Sequence, residues 1–257
     1  SCLRKLGPSA SGPVVERTLA LLENVIRDAK RGQGDRERAL EVLGELANVD
    51  DRALRRIEEL AVGSADKALL ADSIRVTALQ WVVLQSATRL QSLSNGELLE
   101  HAKGQLLFFF ACLEDGSARL RQEGAKALAS FPGETANFTK AQVEDYARKI
   151  VARVGRALVT EASLGCARQE IEVLARQAAR ARVAPSGLSH LVAALATWTR
   201  NEVQRRTLLV PLRSSFRQHL ASLAKSEGVA AGILMQHATR FGEARMYYEQ
   251  ALILRAP

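Results

Sequence analysis

Apolar residues along this chain recur at intervals of three and four, and almost nowhere at two. Two examples are Leu19, Leu22, Val25 and Ile26, and Leu40, Leu43, Leu46 and Ala47. An interval of three to four places apolar side chains on one face of an α-helix, whereas a half-buried strand alternates with a period of two. The pattern therefore predicts an all-α fold.

Breaks rich in Gly, Pro, Asn, Asp and Ser divide this pattern, and they predict about ten or eleven helices joined by short loops. The breaks lie at residues 31–34, 48–51, 92–96, 131–133 and 183–187. Side-chain oxygens at helix starts accept the free amides of the first turn. On this ground the predicted N-caps are Asp50 or Asp51, Ser94 or Asn95, and Thr139.

A short signature recurs where helices are predicted to start: an apolar or small residue followed by arginine. It reads Ile74-Arg75-Val76, then Leu120-Arg121-Gln122, then Ala167-Arg168-Gln169. The three arginines are 46 and 47 residues apart, which is the period of a two-helix repeat array. A single helix pair leaves one apolar face uncovered, so such a period predicts that neighbouring pairs stack.

The segment from Asp115 to Leu128 resembles the second helix of a HEAT repeat, in which an acidic residue caps the turn and an apolar-Arg pair precedes small residues and a leucine. Residues 72–79 are similar, residues 36–40 are a poorer earlier copy, and the stretch around Arg205 is a later one. The resemblance covers residues 13–220. It implies a right-handed α-solenoid of stacked antiparallel helix pairs, a HEAT/TPR-like superhelix, in which small residues such as Ala78 and Ala125 allow close helix contact.

The end of the chain resembles one tetratricopeptide repeat. The residues that match its pattern are Ala231-Gly232, Met235, Phe241, Ala244, Tyr248, Ala251 and Pro257. Gly228 stands where a large aromatic residue is usual, Met235 replaces a common tyrosine, and Pro257 arrives about one residue late. The resemblance implies a helical hairpin over residues 221–257 that caps the preceding helices or continues beyond them, and residues 1–12 are predicted to form a flexible tail.

Composition and cysteine usage narrow the classes of protein to which this chain can belong. The chain is 47% hydrophobic and 25% charged, an ordinary balance for a folded protein, and its longest apolar run, residues 106–113, is far shorter than the ~20 residues of a membrane span. Cys2, Cys112 and Cys166 form no CxxC pair, which argues against a disulfide framework or a zinc site, and the last two are expected to be small buried hydrophobes. Cys2 has two interpretations, a lipidated first residue of a bacterial lipoprotein or an arbitrary chain boundary.

The net charge of +8 is concentrated in one part of the chain. Residues 1–150 have no net charge, residues 151–220 carry +7, and residues 221–257 carry +1. Basic residues at helical spacing in and beside the middle part are Lys149, Arg153 and Arg156; Arg176 and Arg180; and Arg206, Arg213 and Arg217. These stripes predict a positive surface for nucleic acid, anionic lipid or an acidic protein segment. The alternative is a solvated or protein-facing surface, since only Trp198 and Phe216 are available there for base stacking.

The sequence contains no Gly-rich phosphate loop, HExxH helix, nucleophile elbow or dinucleotide fingerprint. Glu97 and His101 are four residues apart, a spacing that suits a metal pair but more often marks an ordinary side-chain contact. Basic HEAT-like arrays of about this length include the alkylpurine DNA glycosylases. Those enzymes need an acidic residue and tryptophans around a cleft, and no acidic residue here matches Trp81 and Trp198 by motif, so that resemblance concerns the fold alone.

The leading hypothesis is a non-enzymatic scaffold or adaptor that binds a protein partner along the groove of its repeats, without cofactor or metal. Tyr247 is the exposed aromatic expected to contact a partner, because Tyr248 takes the packing position on the same helix. One alternative is a DNA-binding protein or HEAT-like DNA glycosylase that uses the basic 149–217 region. Both fit a soluble protein, with the cytoplasm as one option. A second alternative is a membrane-tethered lipoprotein assembly factor anchored through Cys2.

Overall fold

The computed structural model describes residues 12–63, 70–90, 93–132, 138–161 and 163–181, and 84% of them are helical. The described ranges contain eight helices and no strand: α1 (Gly12–Arg27), α2 (Gln33–Leu46), α3 (Asp51–Val62), α4 (Asp72–Leu90), α5 (Asn95–Leu113), α6 (Ala118–Ser130), α7 (Lys140–Thr160) and α8 (Leu164–Ala181). The all-α prediction is confirmed. The predicted tail, the tetratricopeptide-like segment and the later HEAT-like copy around Arg205 lie outside these residues, except for Gly12, the first residue of α1.

Two compact units make up the chain, and the division between them falls inside α6. The first comprises Ser1–Glu123 with Thr135–Asn137, and the second comprises Gly124–Glu134 with Phe138–Pro257. In the first unit α1 packs against α2 and α3 packs against α4, while α2 and α5 both contact α3 and α4. The second unit is built on the pair α7 and α8. Helices therefore associate as successive pairs, as expected of a helical repeat fold.

The buried faces follow the three-to-four spacing of the sequence. In the first unit the largest fully buried side chains are Leu19, Ile26, Leu40, Leu43, Ile57, Leu60, Ile74, Leu79, Leu98 and Leu120. Ala78 and Ala125, the small residues expected at helix contacts, are also fully buried. No helix in the described residues is long and apolar enough to cross a membrane.

Helix starts use the side-chain caps that the sequence predicts. Asp50, and not Asp51, is the cap of α3, since its carboxylate accepts a hydrogen bond from the Arg52 amide at 2.9 Å. The guanidinium of Arg52 also donates to the Asp50 carboxylate and thereby lowers the pKa of that carboxyl. Ser94, and not Asn95, is the cap of α5, and it forms a capping box with Glu97. Thr139 caps α7 in the same way with Gln142.

The recurring arginines have a structural role in the repeats. Arg36, Arg75 and Arg121 occupy the fourth position of α2, α4 and α6. Each donates a hydrogen bond to a carbonyl oxygen at or just after the end of the preceding helix: to Ile26 at 2.7 Å, Ala61 at 2.8 Å and Asp115 at 2.8 Å, respectively. A cation there satisfies a free carbonyl and opposes the negative end of the helix dipole. Arg168, in the fourth copy, is the fifth residue of α8 and is exposed.

Arg75 also links α4 to the loop that follows α5. It is buried, with 2% of its surface exposed, and its guanidinium pairs with the Asp115 carboxylate and lies 3.7 Å from that of Asp72. Ser117 donates a hydrogen bond to Asp72 at 2.6 Å. The start of α4 is thereby tied to the loop between α5 and α6 by charged and polar groups rather than by apolar contact.

In the second unit the end of α6 is held by α8 instead. The amide nitrogen of Gln177, which is fully buried, donates to the carbonyl oxygens of Leu128 at 2.6 Å and Phe131 at 2.7 Å. Arg180 donates to the carbonyl oxygens of Phe131 and Pro132, both at 3.3 Å. Side chains of α8 thus cap the C-terminal end of α6.

Candidate partner-binding surface

Two of the predicted basic residues form ion pairs within their own helix. Lys149 lies 2.7 Å from the carboxylate of Asp145 and 5.7 Å from the centre of the Tyr146 ring. Arg176 lies 2.7 Å from Glu172. In both cases an acid precedes the base by four residues on an exposed face, which is a favourable helix-surface pair. The positive charge at these positions is thus partly compensated.

The other predicted basic residues have varied surroundings. Arg156 is exposed and donates to the Ala152 carbonyl oxygen at 3.3 Å, Arg153 is half-buried and has an interaction partner, and Arg180 caps the end of α6. Arg206, Arg213, Arg217 and Tyr247 lie outside the described residues. The basic surface therefore stays a prediction, and its described part consists largely of side chains that already have intramolecular partners.

The outward face of α4 has a different character. Gln80, Leu84 and Thr88 are exposed on it and Thr77 is half-buried; these four residues are called the α4 face below. No charged residue occurs from residue 76 to residue 88, although an exposed helix face normally carries charges. The Leu84 side chain is 56% exposed. This is an uncharged strip with an apolar centre on the surface of the first unit.

A tryptophan forms one edge of the α4 face. Trp81 is half-buried, and it packs so closely on Gly44 of α2 that a Cβ at that position would lie 2.6 Å from its Cε3. Gln85, one turn further along α4, is buried and donates to the Gly44 carbonyl oxygen at 3.2 Å. These two contacts fix α4 against α2, so the exposed edge of the indole borders both helices. In the sequence Trp81 enters only the comparison with the glycosylase pattern, and no motif there indicates this surface.

A second exposed leucine provides a comparison. Leu107 on α5 is 61% exposed. Of the three phenylalanines that follow it, Phe108 and Phe110 are half-buried and Phe109 is buried. The neighbours of Leu107 on that face include the exposed Lys103. This face has the charged character of an ordinary surface helix, unlike the α4 face.

The Glu97 and His101 pair considered from the sequence does not form a joint site. Glu97 is exposed and bonds Ser94, which lowers the pKa of its carboxyl, whereas Nε2 of His101 lies 2.6 Å from the amide nitrogen of Gln105. Within the described ranges there is no group of three His, Cys, Asp or Glu side chains placed to hold a metal ion. Burial raises the pKa of the Cys112 thiol to about 12, so this cysteine is a protonated core residue.

His101 is expected to make the stability of the first unit sensitive to acid. Burial, and next the charge of Arg89, lower the pKa of its imidazole, while Asp51 acts in the opposite direction. The imidazole of the unfolded chain binds a proton at about pH 6.5, and the folded protein binds it more weakly. The free energy of unfolding is therefore highest above that pH and decreases as the pH falls below it. We expect His101→Gln to reduce the loss of stability between pH 7.5 and 5.5, measured by urea unfolding.

The control for that measurement is Glu58→Gln. Burial raises the pKa of the Glu58 carboxyl, so its protonated form favours the folded state at low pH and that advantage disappears as the pH rises. Replacing it should therefore shift the pH dependence in the opposite direction to His101→Gln. Parallel pH profiles for wild type and His101→Gln would contradict the assignment.

Comparisons with known proteins add no family. No family model matches the chain, and a search of curated proteins finds no match. Among solved structures, one designed armadillo repeat protein shares 15% identity with a TM-score of 0.37. A second chain, described as one of the computationally designed armadillo repeat proteins for modular peptide recognition, shares 14% identity with a TM-score of 0.36. Each likeness covers 88% of this chain and 99% of the other. At these TM-scores neither supports an argument about binding, and the helical-repeat class rests on the helices described above.

Proposed function

We propose that this helical repeat protein is a non-enzymatic scaffold or adaptor that binds a segment of a protein partner on the α4 face. The observation that supports the proposal is the uncharged outward strip of α4, with Leu84 exposed at its centre and Trp81 at its edge. A helix surface that lacks charge and exposes a large apolar side chain loses unfavourable hydration when a partner covers it. Stacked helix pairs keep such a strip rigid, which limits the entropy lost on binding.

Leu84→Asp is expected to abolish partner recovery or reduce it at least tenfold. The substitution would place a charge in the contact, and burying an unpaired carboxylate is strongly unfavourable. The measurement is affinity purification from the native source with tagged wild type and variant, followed by affinity measurement with the partner that is recovered.

Leu107→Asp is the matched control, since Leu107 is equally exposed on another helix of the same unit. Neither variant should change the free energy of unfolding by more than about 0.5 kcal/mol, because both positions face solvent. Equal loss of the partner in both variants would assign the contact to general surface hydrophobicity. Purification of a monomer without any partner would contradict the scaffold proposal.

A further inference from the structure

The face of α2 beside Trp81 carries a row of carboxylates. Glu37, Glu41 and Glu45 follow one another at intervals of four, and these three residues are called the acidic row below. Glu41 and Glu45 are exposed, and neither forms an ion pair within the part of the chain that the structure describes. Glu37 accepts a hydrogen bond from the side chain of Gln33 at 2.7 Å. Carboxylates at this interval repel one another and weaken the helix.

Other exposed helices in the same chain avoid this arrangement. On α7 and α8 an acid is followed four residues later by a base in three described pairs, Glu144 with Arg148, Asp145 with Lys149, and Glu172 with Arg176. In the acidic row the fourth residue after Glu37 is Glu41, and the fourth after Glu41 is Glu45. Among α2, α7 and α8, as far as the structure describes them, only α2 places an acid four residues after another acid, and it does so next to the α4 face.

The acidic row lies on the solvent side of the contact between Gly44 and Trp81. With about 100° per residue, Glu37, Glu41 and Glu45 are rotated by roughly 20°, 60° and 100° from Gly44 in the same direction. Arg38, an exposed base of this helix, is rotated by roughly 120°, close to Glu45, but it lies six residues before Gly44, which is about 9 Å along the helix axis. Glu41 and Glu45 are three residues and one residue from Gly44, so the charged side chains of α2 closest to the indole are negative.

We infer that the partner segment is basic, with an apolar side chain that contacts Leu84 and Trp81 and with Lys or Arg side chains that pair with Glu41 and Glu45. This inference rests on the proposed function and specifies the chemistry of its partner. The apolar contact supplies affinity, and the acidic row selects basic over neutral or acidic sequences, as charge complementarity does at interfaces.

The test uses a phage-displayed library of random twelve-residue peptides panned on the immobilised full chain. We expect selected peptides to be enriched in Lys and Arg beside a large apolar residue. A synthetic selected peptide should bind the Glu41→Gln/Glu45→Gln double variant roughly threefold to tenfold more weakly, as expected for two exposed charge pairs, and its binding to wild type should weaken with added salt. The Asp145→Asn/Glu172→Gln variant, which has the same net charge, should bind like wild type.

The outcomes separate this inference from the proposed function. Selected peptides without basic enrichment that are still lost with Leu84→Asp would overturn the inference and leave the proposed function intact. Peptides insensitive to Leu84→Asp would contradict both. Self-association of wild type that the double variant abolishes would identify a second copy of the chain as the occupant, and would also overturn the inference.

Discussion

Replacing Arg75 by Met should lower the free energy of unfolding by about 3–5 kcal/mol, the range measured when one member of a buried ion pair is removed. The methionine keeps most of the apolar volume, so the loss reports on charge and hydrogen bonding. Asp115 would lose its buried partner, and the Ala61 carbonyl oxygen would lose its donor. Urea unfolding followed by circular dichroism measures the effect.

A matched control and a second substitution make this test specific. Arg119 is exposed in the first turn of α6, and Arg119→Met should change stability by less than about 0.5 kcal/mol. Adding Asp115→Asn to Arg75→Met removes the unpaired carboxylate, so the double variant should be less destabilised than the sum of the two single variants. A cost below about 1 kcal/mol for Arg75→Met, set against the range for a buried pair, would show that the ion pair is not an important link between α4 and the loop that follows α5.

The fold class could be predicted from the sequence because its determinants are local. Apolar spacing sets the helix faces, and the caps Ser94 and Thr139 act on amides within three residues. The signature marks the starts of α4 and α6 because Arg75 and Arg121 donate hydrogen bonds at the end of a preceding helix, as Arg36 does in α2. The same signature at Arg168 marks the start of α8, but there the arginine is the fifth residue of the helix instead of the fourth, and it is exposed. The sequence pattern therefore predicts where a helix of the repeat begins better than it predicts the contacts of the arginine.

The candidate surface was harder to predict, because it depends on which side of each helix remains uncovered. Leu84 is the last residue of an apolar run of four that begins at Trp81, and the packing of α4 against α2 and α3 decides which member of that run faces solvent. The absence of charge from residue 76 to residue 88 was the available signal. Conversely, the acids four residues before Lys149 and Arg176 were visible in the sequence and already indicated that these charges are compensated.

Gly44→Val is expected to destabilise the first unit by about 2–3 kcal/mol, the upper part of the range for overpacking. A Cβ at this position would lie 2.6 Å and 2.7 Å from two ring carbons of Trp81, closer than carbon atoms approach without a shift of the helix or the indole. Gly44→Ala should still cost about 1 kcal/mol, since the gain in helix propensity offsets part of the clash. Urea unfolding again measures both variants.

Gly104→Ala is the control, because a Cβ there meets no atom within 4 Å in the middle of α5. It should stabilise the protein by about 0.5–1 kcal/mol, so the same substitution has opposite signs at the two glycines. A shift of the Trp81 ring would also displace the edge of the α4 face, and Gly44→Ala should therefore weaken binding of a selected peptide while Gly104→Ala leaves it unchanged. Stabilisation by Gly44→Ala would mean that α2 and α4 are not held together through Trp81, and the rigid surface on which the proposed function depends would lose its structural basis.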